Sequence, residues 1–154
     1  MPHFSPESHK ATYAIALKTL AEHELRVTAP RKAILTVLTR EHGPFTAEEI
    51  HQKIENASCD LVTVYRSLTA LEEVGIVRRC DFGNGAYRYE FNHGDHHHHH
   101  LICRDCQKVE IMEFCVADTL ESIARDRGYH NVTHSLEVFG VCPKCQKIRE
   151  SKSR

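Results

Sequence analysis

The residues able to do chemistry crowd into one stretch. From His93 the chain reads His-Gly-Asp-His-His-His-His-His-Leu-Ile-Cys-Arg-Asp-Cys, ending at Cys106. Imidazole nitrogens and thiol sulfurs are thus offered within one short segment, which is the donor set of a metal site. If Leu101 and Ile102 lie on a strand, successive side chains point to opposite faces. His96, His98 and His100 then share one side, His97 and His99 the other, and one run can feed two sites. An expression tag or a solvated low-complexity tract is the competing reading. The run is internal, has no Gly/Ser linker and leads straight into a thiol pair, which argues against a tag. A second pair, Cys142-Pro143-Lys144-Cys145, completes four thiolates, the tetrahedral sulfur shell that zinc favours. A redox dithiol, an iron-thiolate centre and disulfides are the alternatives. Cys59, Cys80 and Cys115 are left over, and a lone cysteine is most often a small buried apolar residue.

These donors need a frame. With 154 residues the chain can hold one ordinary domain or two small ones, each near the size at which a metal or a partner subunit adds needed stability. The formal net charge is -1, and no long apolar run suggests a membrane helix. Met1 to Pro6 is polar and lacks the apolar region of a secretory signal, so a cytoplasmic location is expected. Seven cysteines in such a chain argue for reduced thiols and metal ligation.

The front half has helical periodicity. Tyr13, Ile15, Ala16, Leu17 and Leu20 give a first helix between Ala11 and His23. Thr28 caps a second, with Pro30 in its first turn and Ala33, Ile34, Val37 and Leu38 as its buried stripe, stopping near His42-Gly43-Pro44. Thr46-Ala47-Glu48-Glu49 matches a capping box and opens a short helix with Ile50 and Ile54 inward. A fourth helix, from about Asp60 to Glu73, buries Leu61, Val64, Leu68, Leu71 and Val74 and carries Thr63, Arg66, Ser67 and Thr69 on its other face. Arg78 to Phe82 and Ala86 to Phe91 then predict two strands about a Gly83-Asn84-Gly85 turn.

Short helices followed by a β-hairpin predict a winged helix-turn-helix, whose last helix enters the major groove. Residues 1 to 85 carry ten Lys and Arg against eleven Asp and Glu, so bulk charge does not argue for DNA, and winged helices also bind proteins. Two rival functions remain. A metallohydrolase could start from His93-Gly94-Asp95-His96, but no general base or nucleophile motif accompanies it. A cytoplasmic metal buffer or chaperone accounts for the histidines and leaves the winged helix without a purpose.

Taken together, Arg26-Val27-Thr28-Ala29-Pro30-Arg31, Thr46 to Ile50, Val62 to Leu68, Gly75-Ile76-Val77, the histidine run into Cys103-x-x-Cys106, and His134 to Cys145 resemble the ferric uptake regulator superfamily. The match is colinear over nearly the whole chain. The resemblance implies an α/β protein of two domains: an N-terminal winged helix over residues 1–85, a hinge over 86–95 and a metal-binding dimerisation domain over 96–154. It implies a homodimeric, metal-dependent repressor that binds operator DNA and controls genes of iron or zinc uptake. Arg26, Thr63, Tyr65 and Arg66 fall at its DNA-contacting positions, although Tyr65 could instead be a core aromatic. Cys103, Cys106, Cys142 and Cys145 match its structural zinc.

For the regulatory ion the resemblance implies Glu90, His98 and His100, with Glu110 or Glu113 as the next carboxylate, Glu110 being preferred. Pro44 and Phe45 stand where the family often has a further histidine, and His42 is the nearest candidate. A second site is implied at His97, His99 and His134. There Ala117 takes the place of the usual carboxylate, so Asp118 or Glu121 would substitute. Zinc, iron(II) and manganese(II) all suit nitrogen and oxygen ligands, while a thiolate from Cys80 would favour zinc. Nothing in these residues argues for peroxide sensing. A ligand set drawn from both sides of the hinge would let metal select one interdomain angle, and in a dimer that angle fixes the spacing of two recognition helices.

Overall fold

The computed structural model describes residues 6–41, 43–54, 59–83, 85–92, 99–112, 117–132, 134 and 136–152, with the backbone only at 6–8, 117 and 118. His42, His97, His98 and Glu113, together with Cys115, lie outside the described residues. The chain divides into two compact units, Met1–Gly94 and Asp95–Arg154.

In the first unit four helices precede a hairpin: α1 (Pro6–Glu22), α2 (Ala29–Arg40), α3 (Ala47–Lys53), α4 (Leu61–Glu73), β1 (Val77–Asp81) and β2 (Tyr87–Phe91). Each helix start is fixed by the residue the local chemistry demands. Thr28 Oγ1 accepts from the Arg31 amide at 3.4 Å, and Asp60 Oδ1 accepts from the Thr63 amide at 2.7 Å. The Thr46 amide donates to Glu49 Oε2 at 2.8 Å while the Glu49 amide donates to Thr46 Oγ1 at 3.2 Å, the reciprocal pair of a capping box. α4 ends at Gly75, whose φ of 74° lets its amide reach Glu72 O and the Ile76 amide reach Leu71 O.

Ala16 and Leu20 of α1, Ile34, Leu35 and Leu38 of α2, Ile50 of α3, and Val64, Leu68 and Leu71 of α4 form the buried core with Val77, Tyr89 and Phe91 of the hairpin. One expectation fails here: Ser67, assigned to the outer face of α4, is buried. A small hydroxyl turned inward lets α4 pack closely against its neighbours. β2 pairs with β1 along its whole length, Val77 opposite Phe91 and Asp81 opposite Tyr87. It also meets Phe45, which exchanges backbone hydrogen bonds with Tyr89 at 2.9 and 2.7 Å. Tyr87–Phe91 is the hairpin's second strand, as its residues predicted, so the hinge placed at 86–95 overlaps that strand, and the first unit runs on to Gly94.

The second unit is a three-stranded sheet with two helices: β3 (His99–Cys103), β4 (Val109–Met112), α5 (Ala117–Asp126), β5 (Glu137–Gly140) and α6 (Pro143–Lys152). The strand order is β4-β3-β5, with β3 antiparallel to β4 and parallel to β5. The histidine strand is therefore central. Among the described residues no helix is long and apolar enough to cross a membrane.

Candidate metal centres and nucleic-acid interface

The Cys103-x-x-Cys106 turn leaves the end of β3, and Cys142 and Cys145 sit at the start of α6. β5 runs parallel to β3, so its end delivers the second pair to the first, with Cys103 opposite Gly140 in the register. All four Sγ atoms lie within 4.8 Å of one another, and Cys106 and Cys142 are 3.8 Å apart. Sulfurs at zinc-bond length on a tetrahedron are about 3.8 Å from each other, so small rotamer adjustments suffice to close the cluster on zinc. The Cys142 amide donates to Cys103 Sγ at 3.3 Å, and the backbone amides of Cys106 and Cys142 hold the Cys103 thiol down to about 6. Burial, with hydrogen bonds to Cys142, Cys106 and Cys103, pushes Cys145 up to about 12. Arg149 of α6 donates through Nε to Asp105 Oδ2 at 2.7 Å and ties the helix to the turn.

On β3 the two described histidines are each only 3% exposed and, being consecutive, face opposite sides of the sheet. The His99 ring lies 5.2 Å from that of His134, centroid to centroid. His134 Nδ1 in turn donates to Glu121 Oε1 of α5 at 2.8 Å. In a neutral ring that bond leaves Nε2 as the lone-pair nitrogen of His134, the arrangement usual in metal-binding histidines. Of the two substitutes for a carboxylate at Ala117, Glu121 is the one brought to the histidines; the side chain of Asp118 is not among those described.

His100 occupies the other face. Its partners in the register are Ile111 on β4 and Glu137 on β5. Glu110 instead pairs with Leu101, which puts it on the side away from His100, where it is exposed and ion-paired to Lys108 Nζ at 2.6 Å. The acidic residue paired with His100 in the sheet is thus Glu137, a residue that sequence reasoning passed over because β3 and β5 are distant in the chain. Glu90, on β2 of the first unit, is 4% exposed and accepts from Arg78 Nε at 2.9 Å.

α4 presents Val62, Tyr65, Arg66 and Thr69 outward while Val64, Leu68 and Leu71 are sealed inside. Tyr65 is 42% exposed, which removes the core-aromatic alternative. Its hydroxyl donates to Glu48 Oε1 of α3 at 2.6 Å. That hydrogen bond pushes the phenol up to about 12 and lowers the Glu48 carboxyl. Thr63, half-buried, gives its amide to the cap, and Arg26 is exposed at the end of the loop before α2, its carbonyl accepting from Arg31.

Residues 22–139 match the model of the Ferric uptake regulator family. Over 134 residues the chain is 31% identical to the Peroxide-responsive repressor PerR of Staphylococcus aureus, which covers 85% of this chain and 89% of that protein. The chain belongs to the ferric uptake regulator family.

It is a metal-responsive transcriptional regulator and not an enzyme. Among solved structures, the ferric uptake regulator of Vibrio cholerae is similar at 34% identity with a TM-score of 0.69, over 81% of this chain and 98% of that one. A zinc-bound manganese uptake regulator gives 32% identity and a TM-score of 0.66 over 82% and 98%. These three relatives are named for three different signals at nearly equal identity, so likeness alone does not name the ion this regulator answers to.

Proposed function

We propose that this regulator is a cytoplasmic, homodimeric repressor that binds operator DNA when loaded with a divalent metal and controls genes of iron or zinc uptake. The first unit acts as a winged helix. α4 enters the major groove with Thr63, Tyr65 and Arg66, β1 and β2 form the wing, and Arg26 reaches the adjoining backbone. The second unit is the dimerisation domain, held by a structural zinc on Cys103, Cys106, Cys142 and Cys145. Leu101 and Val138, side by side on one sheet face and 37% and 39% exposed, support a covering second copy.

The observation that carries the reading is strand β3. Rooted in the thiol cluster, it offers one buried histidine to each face of the sheet, and a buried imidazole on each face supports two further ion sites. The regulatory ion, zinc or iron(II) with manganese(II) possible, is held by Glu90, His98 and His100. The neighbouring carboxylate is Glu137, not Glu110. A second ion is held by His97, His99 and His134 with Glu121 beside them. Because Glu90 belongs to the first unit and the histidines to the second, metal binding favours one arrangement of the two. Moving such an equilibrium from about 1:99 to about 99:1 needs about 5.5 kcal/mol of differential affinity.

The test is operator selection from a pool of genomic fragments, with and without metal, by the wild type and by Arg66→Ala. Wild type should retain specific fragments only with metal. Arg66→Ala should lose about 1–3 kcal/mol of operator affinity with metal affinity unchanged. Equal retention with and without metal would overturn the reading, and an unaffected Arg66→Ala would remove α4 from the groove.

A further inference from the structure

We propose that Cys80 is a thiolate ligand of the regulatory ion, beside Glu90, and that Arg78 is a resident cation which the ion displaces, making zinc the signal this regulator reads. The inference rests on the reading above in which Glu90 belongs to the regulatory site. In the β1–β2 register Arg78 lies opposite Glu90 and Cys80 opposite Arg88, so Arg78, Cys80 and Glu90 share one face of the hairpin. Cys80 is 7% and Glu90 4% exposed, and Cys80 Sγ lies within 4.8 Å of a Glu90 carboxylate oxygen. A sulfur and an oxygen bound to one tetrahedral zinc would be about 3.5 Å apart, so a small rotamer adjustment closes the pair on an ion.

The guanidinium of Arg78 already occupies this place. It donates to Glu90 through Nε at 2.9 Å and through a second nitrogen. Although burial opposes its charge, the hydrogen bond and charge of Glu90 raise its pKa further, and Cys80 adds to the effect in the same two ways. One cation therefore sits on a buried carboxylate, with the buried Cys80 on the same face of the hairpin. A carboxylate at this depth needs a counter-charge, and a divalent ion supplies it more compactly. On binding, the thiol proton passes to water, the thiolate and carboxylate close on the metal, and Arg78, 40% exposed along its side chain, swings to solvent. A soft thiolate in an otherwise nitrogen and oxygen set selects zinc over manganese(II) and iron(II). If Cys80 were only a small apolar filler, none of this would follow.

Cobalt(II) added to protein already holding one zinc reports the ligand directly, since a thiolate gives cobalt an intense near-ultraviolet charge-transfer band. Wild type should show that band for one of the further ions it binds. Cys80→Ser should lose it while keeping the visible bands of bound cobalt, and zinc affinity should fall by roughly a hundredfold with manganese affinity changed by less than about threefold. Cys80→Ala, matched to the buried setting, is the companion if serine disturbs the hairpin. Further wild-type ions that all lack the band at saturation, or a band unchanged in both variants, overturn the Cys80 assignment and leave the regulator reading intact. If no second ion binds and DNA affinity ignores metal, the regulator reading itself has failed, and this proposal with it.

Discussion

Two donor sets in this chain differ in how far the fold completes them. The four thiols of the second unit are brought within 4.8 Å of one another by one parallel strand pair and one helix start, whereas the donors assigned to the regulatory ion are divided between the units, Cys80 and Glu90 in the first and His100 in the second. A set assembled inside one unit makes metal part of its folding energy, which for thiolate zinc sites is on the order of 10 kcal/mol or more. A set divided between units makes metal a choice among arrangements, which needs only about half as much. On the proposed reading the first ion stays and the second reports its own concentration.

That contrast can be broken most severely at the thiols. Cys103→Ser should remove one tightly held zinc and with it the fold and self-association of the second unit, read by metal content, circular dichroism and sedimentation. Unchanged zinc stoichiometry and dimer mass would put the structural ion elsewhere. His98→Ala with His100→Ala should do the opposite, leaving fold and dimer intact while cutting the metal-dependent gain in DNA affinity by roughly a hundredfold. If this pair also unfolded the protein, the two donor sets would not differ in kind.

Smaller effects sharpen the boundary of the second set. Glu137→Ala should weaken the regulatory ion by about tenfold, while Glu110→Ala, which removes only an exposed pair with Lys108, should change it by less than about twofold. The reverse order in calorimetry would restore Glu110 and discard the register argument. Arg78→Ala should cost metal-free protein about 1–2 kcal/mol, the value of its pairing with buried Glu90 discounted for its own exposure. Zinc should recover that loss in urea denaturation; equal loss with and without zinc would mean that Arg78 and the ion do not compete for Glu90.

Much of this was legible in the residues because local chemistry carried it. The capping box at Thr46 and Glu49, the Thr28 cap and the paired Cys-x-x-Cys turns each depend on neighbours a few positions away, and each is found as read. The alternation of His99 and His100 follows from strand geometry alone. What sequence missed is set by pairing between distant segments. Glu110 and Glu137 are equally plausible until β3 is known to lie between β4 and β5. Phe45 joining Tyr89 could not be foreseen from either segment. Ser67 looks polar and outward in a list of residues, but its azimuth on α4 turns it inward beside Leu68 and Leu71.

The central claim is that metal, sensed at the divided set, gates DNA binding. It is tested most directly by anaerobic fluorescence anisotropy of the zinc-loaded protein on DNA from upstream of its own gene and on a genomic fragment pool, with free zinc, iron(II) and manganese(II) each buffered and titrated separately. The account predicts tight, specific binding that switches on with zinc at the lowest free concentration of the three. Binding that no metal alters on either DNA would contradict it and favour a protein that only stores metal.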